Sequence, residues 1–403
     1  MAHPKVLAFI LAGGKGERLF PLTAFRSKPA VPFGGRYRIV DFVLSNFINS
    51  QIYSIYLLVQ YKSQSLIEHI RKHWVLSPIV RDHFIAVVPP QMRMGPEWFQ
   101  GTADAVFQNI NIIQQQNPEL VIIFGADHIY RMDIRQMIDF HLEKGADVTV
   151  AARPVPIEEA SAFGVIQTDS EHRIVGFQEK PAEPTAMPDD PERAYVSMGN
   201  YIFNRDVLIN ALLEAQAKKQ NDFGAHILPD LVKTGKLFAY DFSKNRIPGI
   251  KDYEEKGYWR DVGTIRAFFD AHMDMLGEKP VFELDNSEWP IYPSGQKAPA
   301  TKILRAEIIN SMIAEGVTIK NAVVKNSIIR TGVVIEDDVV IEDAIIMNNT
   351  IIKKGSRLRN IIVDKMNVIK EGTKIGFDPD DERFGLHIDK SGIRVIPRKG
   401  WTS

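Results

Sequence analysis

The residues with the greatest chemical potential lie in one stretch, AFILAGGKGERLFPLTAFRSKPAVPFGG (8–35). Gly13, Gly14 and Gly16 follow an apolar run directly, and Arg18, Arg26 and Lys28 come next, threaded through prolines. Glycines let main-chain N–H groups approach a phosphate chain and take up positive φ. Three cations so close to such a turn could neutralise a triphosphate. The turn reads G-G-K-G-E-R, which fits neither the dinucleotide fingerprint G-x-G-x-x-G nor the P-loop G-x-x-x-x-G-K-[ST]. A solvated basic loop is the alternative, but Leu19, Phe20, Pro29 and Val31 pin the segment against a core.

Three later motifs carry carboxylates or cations. FGADHIYRMD (124–133) ends a buried run in Asp127, and a carboxylate at the end of a strand is well placed to hold Mg²⁺. Alone, Asp127 fits an Asx turn or a helix cap equally well. YWRDVGT (258–264) supplies Asp261, remote in sequence but able to complete the same metal site. Metal-bridged phosphates are what phosphoryl and nucleotidyl transfer require, because catalysis there is mostly positioning and charge neutralisation. FQEKP (177–181) places Glu179 and Lys180 before a proline, hence in extended chain. Such a Lys could bind a sugar phosphate and the Glu its hydroxyls; a surface ion pair is the plainer reading.

These motifs need a scaffold that brings them together. VLAFILA (6–12), IYSIYLLVQ (52–60), LVIIFGAD (120–127), DVTVAAR (147–153) and YVSMGNYIFN (195–204) read as strands. SLIEHIRKHW (65–74) and TADAVFQNINIIQQQ (102–116) carry apolar residues at helical spacing. The alternation predicts a mixed, mostly parallel, Rossmann-like sheet with helices on both faces. Ligands then bind beyond the carboxyl ends of the strands, just where the glycine turn and Asp127 fall. Residues 278–302 are rich in Pro and polar side chains and read as a linker between a domain at 1–277 and another at 303–403. In the second domain Ile313, Ile319, Val324, Ile329, Ile335, Ile341, Ile346, Ile352, Leu358, Val363, Ile369 and Ile375 recur every five or six residues. That period belongs to neither a helix nor an alternating strand; it predicts a parallel β-helix.

Bulk properties narrow the function. A chain of 403 residues exceeds the roughly 250–300 at which single cores stop growing, so two domains are expected. The formal net charge of −1 gives no field favouring nucleic acid or an acidic membrane. No apolar run approaches the ~20 residues of a membrane span, and the N-terminal run is broken by Gly13 and Gly14, so neither a span nor a signal peptide is expected. Absence of Cys removes disulfides, thiolate catalysis and Cys-ligated metal, and suits a cytoplasmic location.

LAGGKGERL with SKPA, then QGTADAV, GADHIY, EASAFGV, EKP, SMGNYIF and YWRDVGT, in this order, resemble the bacterial glucose-1-phosphate adenylyltransferases. The resemblance covers nearly the whole chain, and RIVDFVLSN (38–46), QGTADAV (100–106) and EEASAFGV (158–165) look like the adenylyl-glucose branch. It implies a nucleotidyltransferase domain followed by a left-handed parallel β-helix serving oligomerisation and regulation. The reaction implied is ATP plus glucose 1-phosphate giving ADP-glucose and pyrophosphate, for glycogen synthesis. By the family's motifs Leu11, Gly13, Gly14 and Gly16 lie at the nucleotide, Arg18 meets the leaving pyrophosphate and Lys28 the α-phosphate. Gln60, Trp98 and Gly101 lie where the family contacts adenine, and Gly164, Glu179, Lys180 and Ser197 where it contacts glucose 1-phosphate. Asp127 and Asp261 would hold Mg²⁺. A homotetramer and a phosphorylated effector are implied too, the latter near Arg26, Arg383, Arg394 and Arg398. Two departures stand out: Phe25 replaces the Lys many relatives use for a phosphorylated activator, and Phe99 replaces a Tyr beside the nucleotide. Three rival readings are a transferase for another base or sugar, a silent regulatory subunit, and an acyltransferase. Retention of Arg18, Lys28, Asp127, Lys180 and Asp261 speaks against the second. Against the third, residues 313–375 hold no His.

Overall fold

The computed structural model describes residues 4–398 apart from 78, 81, 93–94, 96, 293–297 and 378–385. Its first strand, β1 (Val6–Ala12), shows how the sheet is built. Alternate side chains face opposite sides of a strand. Ala8, Ile10 and Ala12 join one apolar cluster, Leu7 and Phe9 another. A strand buried on both faces has no polar position, which is why 6–12 reads as an unbroken apolar run.

A short hairpin with a three-residue turn follows, β2 (Pro32–Phe33) with β3 (Tyr37–Arg38), and leads into α1 (Ile39–Asn49). Next come β4 (Ser54–Val59), α2 (Gln64–His73), β5 (Phe84–Val88), α3 (Thr102–Phe107), α4 (Ile110–Gln116) and β6 (Leu120–Gly125). The single helix expected over 102–116 is thus two, separated at 108–109. After β7 (His128–Tyr130) and α5 (Ile134–Glu143) run β8 (Val148–Pro156), β9 (Gly164–Thr168), β10 (Ile174–Glu179) and β11 (Arg193–Asn204). Then α6 (Arg205–Ala217), α7 (Leu228–Val232), β12 (Leu237–Asp241), β13 (Trp259–Asp261) and α8 (Ile265–Met273) complete the domain.

The main sheet runs β10-β9-β11-β6-β1-β4-β5, with β8 joining β11 to β12. β6, β1, β4 and β5 are parallel, while β11 runs antiparallel to both β6 and β8. One face is covered by α1, α2 and α5 through Val43, Phe47, Leu66, Ile70 and Met137; the other by α3 and α6 through Val106, Phe107, Leu208 and Leu212. Burying each such large side chain contributes about 1.5–3 kcal/mol.

Residues 278–301 form neither helix nor strand where described, yet Phe282, Trp289 and Ile291 are buried, so the linker is a packed strap. Beyond it short strands pair in parallel at offsets of 16 or 17 residues, except the final pair, Ile361–Val363 with Arg394–Ile396, at 33. One row is Ile303, Ile319, Ile335, Ile352 and Ile369; a second is Ile308, Val324, Ile341, Leu358 and Ile375. A third is Ile313, Ile329, Ile346, Val363 and Ile396. Three rows make a three-sided coil with one aliphatic ladder per side, as the repeat predicts. Asn310, Asn321, Asn326, Asp338, Asp343 and Asn349 turn its corners at positive φ, a conformation Asn and Asp tolerate better than other side chains. The chain closes with an antiparallel pair, His387–Ile388 against Arg394–Ile396.

The two domains are not separate bodies joined by a tether. Leu19, Leu22, Val31 and Phe33 share one apolar cluster with Ile328, Ile345, Ile362, Ile393 and Val395 of the coil.

Candidate active site

The glycine turn leaves the carboxyl end of β1. Gly16 has φ 65° and starts a short 3-10 helix, Glu17–Leu19. A Cβ there would stand 3.0 Å from the Cβ of Lys28. Glycine is therefore required twice, by its torsion and by the close passage of Lys28. A second 3-10 helix, Lys28–Ala30, holds Pro29 at its start and buries Lys28 almost completely.

At the neighbouring strand, β6 ends and Asp127 follows within two residues. β7 then pairs antiparallel with β13, setting Asp261 opposite His128. This pairing brings the two sequence-remote carboxylates to one point. Lys28 Nζ lies 3.1 Å from Asp127 Oδ2 and 2.7 Å from Asp261 Oδ1. Arg18, 72% exposed, reaches Asp261 from the solvent side, Nη2 to Oδ2 3.4 Å.

Burial alone would lower the Lys28 pKa, but the two carboxylates outweigh it and raise it. Burial likewise pushes the Asp127 carboxyl up, and Lys28 with His128 holds it well below the usual range. The site thus keeps the Lys28 ammonium and the Asp127 carboxylate charged at neutral pH. The His128 ring packs on Trp259 at 4.6 Å, and burial lowers its pKa.

Ligand atoms of Asp127, His128 and Asp261 all lie within 4.8 Å of one another. Two carboxylates converging on a shared cation are the hard oxygen donors a small divalent ion takes, usually together with substrate phosphates. These residues fit such an ion, with the carboxylates as its holders.

The cleft above them has a volume of about 860 Å³, within the usual range for small-molecule sites. Leu11, Gly13, Gly14, Gly16, Arg18 and Lys28 line one side; Gly164, Glu179 and Ser197 line another. A Cβ at Gly164 would come within 2.8 Å of Phe177 and 3.0 Å of the Glu179 carboxylate, so glycine keeps that wall open.

The other expected residues sit as follows. Lys180, at φ 47°, has a side chain 66% exposed, and its ammonium pairs at 3.4 Å with Glu179, which lines the cleft. Trp98 is 52% exposed and off the cleft, where Phe99 lies instead. Gln60 lines the cleft with its amide engaged twice: it accepts from Phe99 N at 2.6 Å and donates to Phe99 O at 3.2 Å. Gly101 lines it too, and a Cβ there would collide with the main chain of Asn221. Arg26, expected at an effector, is instead buried against Asp364 of the coil and donates to Leu22 O at 2.9 Å. Arg394 donates to Gly392 O at 3.2 Å, and Arg383 lies outside the described residues.

The sequence reading passed over Thr102 and Asp222. Thr102 Oγ1 donates to Asp222 Oδ2 at 2.9 Å and accepts from Phe223 N at 3.0 Å. Both line the cleft. A signal was present: Asp222 precedes an apolar run and caps it, accepting from Ala225 N at 2.9 Å.

Residues 7–278 match the nucleotidyl transferase family model, and residues 295–396 match the GlmU-like C-terminal hexapeptide model. The chain is 68% identical over 396 residues to a glucose-1-phosphate adenylyltransferase of Thermodesulfovibrio yellowstonii, covering 98% of this chain and 96% of that one. Enzymes of the same name from Anaeromyxobacter sp. and Photobacterium profundum are each 47% identical, with 98% of both chains covered. The chain belongs to the glucose-1-phosphate adenylyltransferase family. Every residue of this family's candidate site found in the cleft falls within the first matched region. The hexapeptide region supplies the coil, and the coil reaches the site by packing on the segment around Lys28.

Proposed function

We propose that the chain transfers the adenylyl group of ATP to glucose 1-phosphate, releasing pyrophosphate and supplying ADP-glucose for α-glucan synthesis. The observation that carries this reading is the Lys28 ammonium held between Asp127 and Asp261 at the floor of the cleft. A phosphate oxygen of glucose 1-phosphate forms a bond to the α-phosphorus of ATP, and the bond from that phosphorus to the bridging oxygen breaks. No residue becomes covalently attached. Gly13, Gly14 and Gly16 leave main-chain room for the triphosphate. Lys28 neutralises charge at the α-phosphate, and exposed Arg18 meets the departing pyrophosphate. Glu179, with Ser197 and Gly164, receives the sugar. Asp127 and Asp261 hold Mg²⁺, which when bound adds positive charge beside the reacting phosphates.

Two wider features belong to the same reading. An anionic effector binds between the domains beside Lys365, where Arg26, Arg38 and Arg398 also lie. Burial and the nearby Arg26, Arg38 and Arg398 push the Lys365 ammonium down to about 8, as expected of a place short of negative charge. The enzyme acts as a cytoplasmic homotetramer, which light scattering would check; a monomer would contradict it. No helix among the described residues is long and apolar enough to cross a membrane.

The decisive test is pyrophosphate release by the purified chain across a panel of nucleoside triphosphates and sugar 1-phosphates with Mg²⁺. ATP with glucose 1-phosphate should turn over fastest. Faster turnover of another pair would overturn the substrate assignment, and no turnover of any pair would favour a silent subunit.

A further inference from the structure

We infer that Arg330, in the C-terminal coil, is a positioning residue for the reaction: it fixes the segment that carries Lys28. The inference rests on the role proposed for Lys28 above.

Arg330 is 3% exposed and reaches out of the coil into the turn between β2 and β3. Its Nη1 donates to Phe33 O at 2.7 Å and also to Gly34 O, and its Nη2 donates to Tyr37 O at 3.0 Å. Its Nε donates to Asn348 Oδ1 at 2.8 Å within the coil. All four acceptors are neutral. Burial and the nearby Arg38 push its pKa down to about 9.

Stability alone is a poor reason for this residue. A buried guanidinium without a hydrogen-bonded carboxylate carries a large desolvation penalty, and an apolar side chain of similar volume often serves a buried position as well. What a planar fork of donors does is specify geometry. Three carbonyls can meet it together only when the turn has one shape.

That shape is tied to Lys28 by short links. Val31 N donates to Lys28 O at 3.0 Å, and Ile39 N donates to Val31 O at 3.2 Å, so the 3-10 helix and the hairpin move together. On the other side of Lys28, Arg26 is ion-paired to Asp364 of the coil, both side chains buried. The Lys28 segment is therefore anchored to the coil before and after the lysine. A third contact reaches Asp261. Gly34 N donates to His272 Nε2 at 3.1 Å, and His272 Nδ1 bonds Phe268 O at 2.7 Å. His272 lies on α8, the helix that follows Asp261. The turn held by Arg330 is thus where the Lys28 segment and the Asp261 segment meet.

A displacement of about 1 Å at a reacting centre can reduce turnover by 10²-fold. Arg330→Met should lower kcat by about 10- to 100-fold, while the KM for ATP and glucose 1-phosphate stays within about threefold. Arg330→Lys should be intermediate, since one ammonium cannot span three carbonyls. The discriminating measurement is a double-mutant cycle with Lys28→Met. In the Lys28→Met background, Arg330→Met should add less than about a threefold loss, because nothing remains to position. The inference is overturned if Arg330→Met, folded by near-UV circular dichroism, keeps kcat within about threefold of wild type. It is equally overturned if the full loss recurs in the Lys28→Met background, the mark of a merely structural role. Should Arg330→Met fail to fold, Arg330→Lys carries the same cycle with the same two outcomes. Lys28→Met alone is read first: near-normal turnover there removes the proposed role of Lys28 and this inference with it.

Discussion

Lys28 is a buried cation whose charge is maintained by its neighbours. Taking either carboxylate away leaves it short of a partner inside the protein, and at Asp127 it also removes a holder of the divalent ion. Asp127→Asn should therefore lower turnover by at least about 10²-fold, a typical scale for losing a preorganised charge at a reacting phosphate. The variant should still fold, because Asp127 is only partly buried and Asp261 remains paired with Lys28. Activity within a few-fold of wild type would remove Asp127 from the site. A site shared by Asp127 and Asp261 was readable from the sequence because Asp127 closes a buried strand and strand ends carry the ligands in this architecture; the passage of Lys28 between them, from a 3-10 helix, was not. Lys180 and Gln60 were harder to read for a physical reason. Lys180 enters the left-handed region, which an E-K-P string does not announce. The Gln60 amide is engaged by the main chain of Phe99, a partner remote in sequence.

At the scale of elements, the junction of α8 with the hairpin turn makes a pH prediction. His272 is buried, and its Nε2 accepts from Gly34 N, so its neutral form is built into the fold. Burial, opposed only in part by the bond to Phe268 O, pushes its pKa down to about 3, and the charge on nearby Arg330 acts in the same direction. Unfolded, a histidine titrates near 6.5. As pH falls below about 6.5 the unfolded chain takes up a proton that the folded chain refuses, so stability is lost progressively toward pH 3. The maximal slope from one such group is about 1.4 kcal/mol per pH unit. Denaturant unfolding between pH 6 and 4 should show a shallower loss in His272→Gln than in wild type; equal slopes would contradict this. Elements themselves were readable to different degrees. The coil showed in the sequence because one aliphatic residue per short strand must face its interior, and eleven of the twelve residues picked out are buried. The break between α3 and α4 was not, because 102–116 keeps apolar residues at helical spacing across it.

At the scale of the molecule, the two-domain reading needs refining. The domains differ in fold, but Leu19, Leu22, Val31 and Phe33 share a core with the coil, and the 278–301 strap is packed. Composition could not reveal that apolar residues on both sides of the expected boundary meet. Calorimetry should accordingly show one cooperative transition, and a chain ending at residue 302 should bind a hydrophobic dye or aggregate. Two well-separated transitions, or a stable and active truncated chain, would contradict the shared core. The same cluster sets a timetable during synthesis. Ile393 and Val395 are made about 370 residues after Leu19 and Leu22. At about 5–20 residues per second the interval is roughly 20 to 80 s. Throughout it the strand-and-helix domain has an uncovered apolar flank beside its key lysine, so each nascent chain can complete that lysine's surroundings only once residue 395 has been made.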